Sequence, residues 1–312
     1  MRQNSNVDDP EREGTRFGPF RVFERLGQGG MCLVLRARRD GSPRDCAIKV
    51  LRPDRRQDDR IKDLFLTEAD LALLVAHPNL IHAYEAGEID GRYYIAMELM
   101  EGGTLQQLVN ICTRRHIPFP PDIALFVLSE VLEGLHALHE TRGASGRPLG
   151  LVHRDVTPQN IFLSFDGRVI LGDLGVTMVQ AYGETEPSEV LGKLGYLAPE
   201  MILMEEVDRR ADLFALGVVA YELLTGQRPF DGKSQDEVME QIAHARFVSI
   251  RKHNGALHPE LEAVITRILS RLPADRYETA EGLIYALEPF WSKKLANPFI
   301  VAALLTAVHR AP

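Results

Sequence analysis

The chain reads HRDVTPQN over residues 153–160 and DLG over residues 173–175. Together these stretches supply two carboxylates, Asp155 and Asp173, and the amide of Asn160. A carboxylate can orient a hydroxyl group, and a carboxylate with an amide offers the oxygen ligands that Mg²⁺ prefers. Phosphoryl transfer requires such a set, because one group must position the attacking hydroxyl and others must hold the metal against the phosphates. The pattern therefore predicts a phosphoryl-transfer site in this part of the chain.

The composition is typical of a soluble globular protein, with 45% hydrophobic and 26% charged residues among 312. A chain of this length has room for about two folding units. The net charge of −8 argues against nucleic acid as the main partner, because phosphate neutralisation needs a basic surface. Three cysteines, an odd number, give no disulfide framework and favour a reducing, cytoplasmic setting.

Neither the N-terminus nor any apolar run indicates a membrane-inserted segment. The opening residues MRQNSNVDDPEREGTR are polar and lack the apolar core of a signal peptide. The longest apolar run, Pro298–Val308, is too short to span a bilayer. The sequence thus predicts no membrane span.

The hydrophobic pattern divides the chain into a β-rich part and an α-rich part. Residues 1–16 are predicted to be a disordered arm, 17–100 a mostly β unit, 101–290 a mostly α unit, and 291–312 a C-terminal tail. Alternating runs predict strands at Phe20–Leu26, Leu33–Leu35, Cys46–Leu51 and Tyr93–Glu98. Helical spacing predicts helices at 59–76, 121–139, 212–224, 235–246, 258–271 and 279–290.

A glycine-rich turn lies between the first two predicted strands. Gly27, Gly29 and Gly30 would let the backbone approach phosphates closely and donate N–H groups to them. An ordinary hairpin turn is the alternative interpretation of the same residues. A dinucleotide-binding turn is disfavoured, because that motif needs a helix after the glycines and a strand pattern follows here.

Lys49 lies in the apolar run Cys46–Leu51. A lysine in such a strand points a cation toward the interior, which costs free energy unless it meets an anion. The alternative is a lysine whose ammonium group reaches the solvent at the surface.

In order and residue type, these motifs resemble the eukaryotic-like (Hanks-type) serine/threonine protein kinases, particularly the bacterial ones, over roughly residues 17–290. The resemblance implies an α+β fold with a β-rich and an α-rich lobe. It implies transfer of the γ-phosphoryl group of ATP, with Mg²⁺, to serine or threonine hydroxyls of protein substrates. It also implies autophosphorylation of the activation segment, with a homodimer as one arrangement for it.

The resemblance assigns roles to residues position by position. Asp155 would orient the substrate hydroxyl, Asn160 and Asp173 would bind Mg²⁺, and Lys49, paired with Glu68, would hold the phosphates. Asp212 would anchor the catalytic loop and Arg276 would pair with Glu200. Nucleotide contacts are expected from Leu26, Gly27, Gly29, Gly30, Val34, Ala47, Lys49, Glu98, Met100 and Phe162.

Several positions depart from the family pattern. Cys32 replaces the third loop glycine, and Leu174 replaces the usual phenylalanine. Thr157 stands where the family usually has a lysine, and Lys193 stands where it usually has a threonine. This exchange leads to the hypothesis that Thr157 and Lys193 have traded catalytic roles, which would conserve one charge and one hydroxyl.

The same sequence features leave other functions open. The departures also fit a pseudokinase that acts as a binding scaffold, and a small-molecule phosphotransferase would share the chemistry. A metal cluster of His136, His139 and His153 is disfavoured, because no cysteine or carboxylate completes it. The long segment 173–200 favours protein substrates, because in the resembling family it forms a peptide platform.

Control by phosphorylation is a further expectation. Arg154 precedes Asp155, and in the resembling family this arginine often binds a phosphate of the activation segment. Thr177, Thr185 and Ser188 are the candidate acceptors in that segment. Alternatively, one of the glutamates at 184, 186 and 189 already pairs with Arg154 and makes the enzyme constitutively active.

Overall fold

A computed structural model describes residues 14–55, 58–174 and 193–310. Residues 1–13 of the predicted arm lie outside the described residues. The chain forms two compact units. The first is built from residues up to Ala76 together with Ile81–Leu99, and the second from His77–Leu80 together with residues from Met100 onward.

The first unit is an antiparallel sheet with one helix on it. Its six strands are ordered β1-β2-β3-β4-β6-β5. The elements are β1 (Arg16–Phe17), β2 (Phe20–Gln28), β3 (Cys32–Arg39), β4 (Asp45–Leu51), α1 (Asp59–Leu74), β5 (Ala83–Ile89) and β6 (Arg92–Glu98).

Strand alternation gives this sheet two apolar faces. One face buries Phe20, Val22, Leu35 and Ile48 in a single cluster. The other face packs Leu51 and Ile95 against the helical stripe Ile61, Phe65 and Ala69 of α1. Asp58 caps α1, because its carboxylate accepts hydrogen bonds from the backbone N–H groups of Arg60 and Ile61. Because Ile48 and Val50 lie on the first face, Lys49 between them points to the face that carries α1.

The second unit is mainly helical, with one small antiparallel sheet ordered β7-β8-β9. Its strands and first helices are β7 (Gly102–Thr104), α2 (Leu105–Arg114), α3 (Pro121–His139), β8 (Ile161–Ser164) and β9 (Val169–Leu171). The remaining α-helices are α4 (Pro199–Ile202), α5 (Arg210–Thr225), α6 (Gln235–Ala243), α7 (Ile250–His253), α8 (Pro259–Ile268), α9 (Ala280–Leu287) and α10 (Pro298–Arg310). Short 3₁₀ turns lie at Pro273–Asp275 and Glu288–Phe290.

Helix α5 is the centre of the second unit. Every residue from Ala211 to Leu224 is buried, as its almost continuous apolar sequence predicts. Gly226 ends the helix with a φ of 70°, a conformation that glycine adopts without strain. The helix packs against α3 and α8, so it forms a fixed base for residues at its N-terminal end.

Helix α10 and the residues before it cover another part of this unit. Val301 and Leu305 are buried, and the helix packs on β8 and α2. The Trp291 ring lies edge-on to Phe126, with 5.7 Å between ring centroids. Residues 291–312, which were predicted only as a C-terminal tail, therefore contain a packed helix.

The predicted strands β2, β3, β4 and β6, helix α1 and the five predicted helices of the second unit are confirmed, with ends that differ by a few residues. Strand β5, the small sheet, α2 and α10 were not predicted. None of the helices within the described ranges is long and apolar enough to cross a membrane.

Candidate active site

The loop that carries Asp155 is fixed by a buried carboxylate at the start of α5. Asp212 accepts hydrogen bonds from the backbone N–H of His153 at 2.8 Å and of Arg154 at 2.7 Å. His139 on α3 also lies 2.8 Å from Asp212, through its Nε2 atom. Arg154 has a φ of 66°, a left-handed conformation that costs a non-glycine residue free energy. The bonds to Asp212 hold the loop in that shape and confirm the predicted anchor.

The electrostatics of this anchor favour a charged Asp212 and a neutral His153. Burial alone would raise the pKa of Asp212, but the hydrogen bonds from the His139 side chain and the His153 backbone hold that pKa below its usual value. Burial lowers the pKa of His153, against the opposing effect of Asp212. The Nε2 atom of His153 lies 3.0 Å from the carbonyl of Gly172. The histidines therefore support the loop, and among the described residues no group of three metal-binding side chains occurs.

Asp155 is buried, and its two carboxylate oxygens differ in their surroundings. Its Oδ2 atom accepts a hydrogen bond of 2.7 Å from the Nδ2 of Asn160, whose Nδ2 also donates to the Asp155 carbonyl at 2.9 Å. Its Oδ1 atom is buried and has no hydrogen-bond partner in the part of the chain that the structure describes. A buried acceptor without a donor is rare, and a hydroxyl group could supply one here.

Lys193 completes this cluster from a distant part of the sequence. Its Nζ atom lies 2.7 Å from the Oδ2 of Asp155, and about a third of its side chain is exposed, at 32%. The hydroxyl of Thr157, in contrast, is buried and lacks a hydrogen-bond partner among the described residues. The structure thus brings Asp155, Asn160 and Lys193 together.

Asn160 and Asp173 fit the requirements of a Mg²⁺ site. Since Asn160 uses its Nδ2 as a donor, its amide oxygen is the atom suited to a cation. The backbone N–H of Gly172 donates to the Asn160 carbonyl at 2.8 Å, which places Asp173 next to Asn160. Asp173 has a φ of 45°, a second left-handed residue in this region. Two protein oxygen ligands are typical for Mg²⁺, which otherwise binds water and substrate phosphates.

In the first unit, Lys49 and Glu68 form an ion pair. The Nζ of Lys49 lies 2.5 Å from the Oε1 of Glu68, and the two side chains are 12% and 6% exposed. Helical spacing puts Glu68 on the stripe of α1 that faces the sheet, where strand alternation also puts Lys49. The alternative of a surface lysine is therefore excluded.

The glycine-rich turn joins β2 to β3. The N–H of Gly29 donates to the carbonyl of Cys32 at 2.9 Å. A Cβ atom added at Gly27 or Gly30 would meet no described atom within 4 Å. The backbone here is open enough for a close ligand, although the same openness fits an ordinary hairpin turn.

The remaining expected nucleotide contacts lie on both units. In the first unit, Leu26 is exposed on β2, Val34 half-buried on β3, Ala47 buried on β4, and Glu98 ends β6. In the second unit, Phe162 on β8 is half-buried and packs over Gly172, and Met100 precedes β7. These placements leave their nucleotide roles as predictions.

One charged cluster was not found by sequence reasoning. The Tyr196 hydroxyl donates to the Glu222 carboxylate, and Arg228 lies 3.7 Å from the same carboxylate. Burial raises the pKa of Tyr196 well above its ordinary value, so the hydroxyl stays protonated as a donor. No sequence signal pairs these residues, because the contact depends on how α5 packs beside the segment after Lys193.

Comparison with family models matches the protein kinase domain to residues 20–286. The chain is 36% identical over 285 residues to the tyrosine-protein kinase MasK of Myxococcus xanthus, which covers 90% of this chain and 44% of MasK. It is 32% identical to the serine/threonine-protein kinase PrkC of Bacillus subtilis, over 85% of this chain and 39% of PrkC. It is 34% identical to the serine/threonine-protein kinase PknF of Mycobacterium tuberculosis, over 89% of this chain and 57% of PknF.

The chain therefore spans about half the length of these curated relatives. Among solved structures, the kinase domain of PknI from M. tuberculosis matches with a TM-score of 0.70 at 27% identity. That match covers 89% of this chain and 98% of the PknI domain. The α+β kinase fold predicted from the sequence is confirmed.

Proposed function

This chain belongs to the protein kinase domain family, and we propose that it transfers the γ-phosphoryl group of ATP to hydroxyl groups of protein substrates. The observation that carries this proposal is the state of Asp155. One carboxylate oxygen is held by Asn160 and Lys193, and the other is buried with no described partner. A fixed carboxylate with one available oxygen is what a group needs to orient an attacking hydroxyl.

The reaction is an in-line displacement at phosphorus. The substrate oxygen bonds to the γ-phosphorus, and the bond from that phosphorus to the bridging oxygen breaks. The electron pair leaves with ADP, and the hydroxyl proton passes to Asp155. Most of the rate enhancement in such reactions comes from positioning and from compensation of negative charge.

The other proposed roles concern charge. Asn160 and Asp173 would hold Mg²⁺, which when bound compensates the negative charge of the phosphates. Lys49 would bind phosphate oxygens, and Glu68 would position its ammonium group. The glycines at 27, 29 and 30 would offer backbone N–H groups, and the residues predicted to contact the nucleotide would hold the adenine ring. None of the three cysteines is in a disulfide, and this together with the use of ATP favours activity in the cytoplasm.

Asp173→Asn tests the transfer function. The substitution removes one charge from the metal site while keeping the size of the side chain. We expect phosphorylation of generic protein substrates to fall by about 10²-fold or more, because preorganised charge compensation is lost. The measurement is incorporation of labelled phosphate from ATP, with Asp59→Asn in α1 as a surface control. Wild-type incorporation no higher than that of Asp173→Asn would favour the pseudokinase scaffold.

The acceptor residue is proposed to be serine or threonine. Two of the three named relatives are serine/threonine kinases, whereas MasK is named a tyrosine kinase. Phosphoamino-acid analysis of labelled substrate decides between these classes. Phosphotyrosine as the main product would contradict the proposed specificity, and labelling of small molecules alone would favour the third alternative.

Autophosphorylation of the activation segment is proposed as a control step. Thr177, Thr185 and Ser188 lie outside the described residues, as do the glutamates at 184, 186 and 189. Arg154 next to Asp155 would bind the phosphate through charge-assisted hydrogen bonds. Mass spectrometry of the active enzyme, with a Thr185→Ala/Ser188→Ala variant, tests this step. Full activity without phosphate in residues 173–200 would support constitutive activity instead.

A further inference from the structure

Lys193 contacts Asp155 through its ammonium group. Its Nζ lies 2.7 Å from the same oxygen, Oδ2, that accepts a hydrogen bond from Asn160. The contact leaves Oδ1 without a described partner. With 32% of its side chain exposed, Lys193 is bound at one end of the cluster and still reachable from solvent.

Thr157 supplies an independent observation in the same loop. The residue is 2% exposed, and its hydroxyl has no hydrogen-bond partner among the described residues. Leaving a buried hydroxyl unpaired costs free energy, so such a group needs an explanation. A phosphate oxygen is an acceptor that a hydroxyl donor and an ammonium group can share.

We infer that Lys193 and the hydroxyl of Thr157 together bind the phosphoryl group during its transfer to the hydroxyl that Asp155 orients. This inference rests on the proposed kinase function. Lys193 supplies the positive charge, Asp155 holds that charge in place, and Thr157 donates a neutral hydrogen bond. The cation thus comes from the segment that begins at residue 193 and not from the loop of Asp155.

The arrangement links catalysis to the position of that segment. Lys193 lies 38 residues from Asp155 in sequence. Three residues further on, the backbone N–H of Tyr196 donates to the Lys193 carbonyl at 3.1 Å, and the Tyr196 side chain is tied to Glu222. Charge compensation at the phosphoryl group therefore depends on this turn being in place.

An alternative interpretation of the same contact is that Lys193 inhibits the enzyme by occupying the Asp155 carboxylate. In that case removal of the ammonium group would free the carboxylate and raise activity. The inferred role requires the opposite result, because negative charge on the transferring group would lose a preorganised cation. The direction of the change in kcat therefore separates the two.

Lys193→Met keeps most of the side-chain length and removes the charge. We expect kcat to fall about 10²-fold and KM for ATP to change much less, since the contact acts mainly in the transition state. Lys193→Arg should retain more activity than Lys193→Met, because it keeps the charge. Lys252→Met, at an exposed lysine of α7, is the matched control and should match the wild type.

Binding gives a readout that does not depend on turnover. ADP with Mg²⁺ and aluminium fluoride mimics the transferring phosphoryl group. Calorimetry should show that Lys193→Met weakens this complex about 10²-fold and leaves the affinity for ADP alone within about twofold. Thr157→Val should weaken the fluoride complex about tenfold without lowering the denaturation midpoint, because it removes an unpaired buried hydroxyl.

The exchanged variant Thr157→Lys/Lys193→Thr should recover part of the activity that both single changes lose. The inference alone is overturned if kcat is unchanged or higher in Lys193→Met. It is also overturned if wild type and Lys193→Met bind ADP with Mg²⁺ and aluminium fluoride equally tightly. A wild type no more active than Asp173→Asn overturns the proposed function. The fluoride complex still tests in that case whether Lys193 and Thr157 recognise a phosphoryl group.

Discussion

At the scale of single residues, the ion pair of Lys49 and Glu68 shows how a charge is tolerated inside a sheet. Both side chains are largely buried, and their charged atoms are 2.5 Å apart. Removing one member of such a pair leaves the other charge buried without that partner, which costs free energy. Replacing both members with apolar groups avoids that penalty. Stability and activity should therefore respond differently to single and double substitutions.

The corresponding prediction concerns Lys49→Met and Lys49→Met/Glu68→Met. We expect the single change to lower the free energy of unfolding by about 2–3 kcal/mol, because Glu68 remains charged and buried. The double variant should regain at least half of that loss, yet both should be inactive, since neither has an ammonium group for the phosphates. Urea denaturation and labelled-ATP assays on the same preparations measure the two effects. Recovered activity in the double variant would show that Lys49 is only structural.

A second residue-scale prediction concerns acid stability at His153. Burial lowers the pKa of His153 in the folded protein below its ordinary value of 6.5. As the pH falls below about 6.5, the unfolded chain binds a proton at this residue while the folded chain does not, so stability falls. Asp212 acts in the same direction at lower pH, since its folded pKa lies below 3.8 and its contribution is lost as the pH falls through that folded pKa.

His153→Gln should remove the first of these effects. Between about pH 6.5 and 5, the free energy of unfolding should fall less steeply than in the wild type, by up to about 1.4 kcal/mol per pH unit. Urea titrations at four pH values give the slope. Parallel slopes for the two proteins would mean that His153 takes up a proton in the folded state.

At the scale of elements, helix α10 depends on one glycine in the turn between β8 and β9. Gly167 has a φ of 86°, and a Cβ atom there would lie 1.9 Å from the carbonyl oxygen of Pro298. A side chain at this position would therefore push the start of α10 away from the turn. Gly146 has a similar φ of 75°, but no described atom lies within 4 Å of its Cβ position.

Gly167→Ala and Gly146→Ala form a matched pair for this contact. Left-handed backbone strain should lower the free energy of unfolding of both variants by about 1–2 kcal/mol. Gly167→Ala should lose at least about 1 kcal/mol more, because buried Val301 and Leu305 would be displaced. Denaturation followed by the fluorescence of Trp291, the single tryptophan, measures the difference. Equal losses would indicate that α10 moves aside without cost.

The elements also differ in how far the sequence could predict them. Long amphipathic or fully apolar helices such as α3 and α5 carry a strong periodic signal, and both were found. Helix α2 was missed, although its capping box of Thr104 and Gln107 can be read from the sequence. Strand β5 (AYEAGEI) has little β-branched character, so its conformation depends on pairing with β6.

At the scale of the whole molecule, the motifs predicted which residues matter, but contacts between distant segments required the structure. The types and order of Asp155, Asn160 and Asp173 pointed to the chemistry before any fold was known. The contact between Lys193 and Asp155 could only be a hypothesis, because sequence spacing does not determine where a distant lysine lies. The cluster of Tyr196, Glu222 and Arg228 had no sequence signal, because tertiary packing alone creates it.

Arg276 and Glu200 are the most extensive of these long-range contacts. The two side chains are 0% and 1% exposed and are joined by two hydrogen bonds of 2.7 Å. Arg276 also donates to the carbonyls of Arg210, Ser270 and Arg271, so each of its five N–H groups has an acceptor. The guanidinium group thereby joins α4, the start of α5 and the residues directly after α8.

The last prediction follows from that geometry. Arg276→Met should lower the free energy of unfolding by about 3–5 kcal/mol, because Glu200 would be left as a buried charge and three carbonyls would lose their donor. Arg276→Lys should be more stable than Arg276→Met but less stable than the wild type. Its ammonium group keeps the charge but offers only three donors from one point. Glu200→Gln/Arg276→Met should be more stable than Arg276→Met alone, because no uncompensated charge remains. Urea denaturation followed by Trp291 fluorescence ranks the three variants, and a fully stable Arg276→Lys would show that charge alone, without the bidentate geometry, holds these elements together.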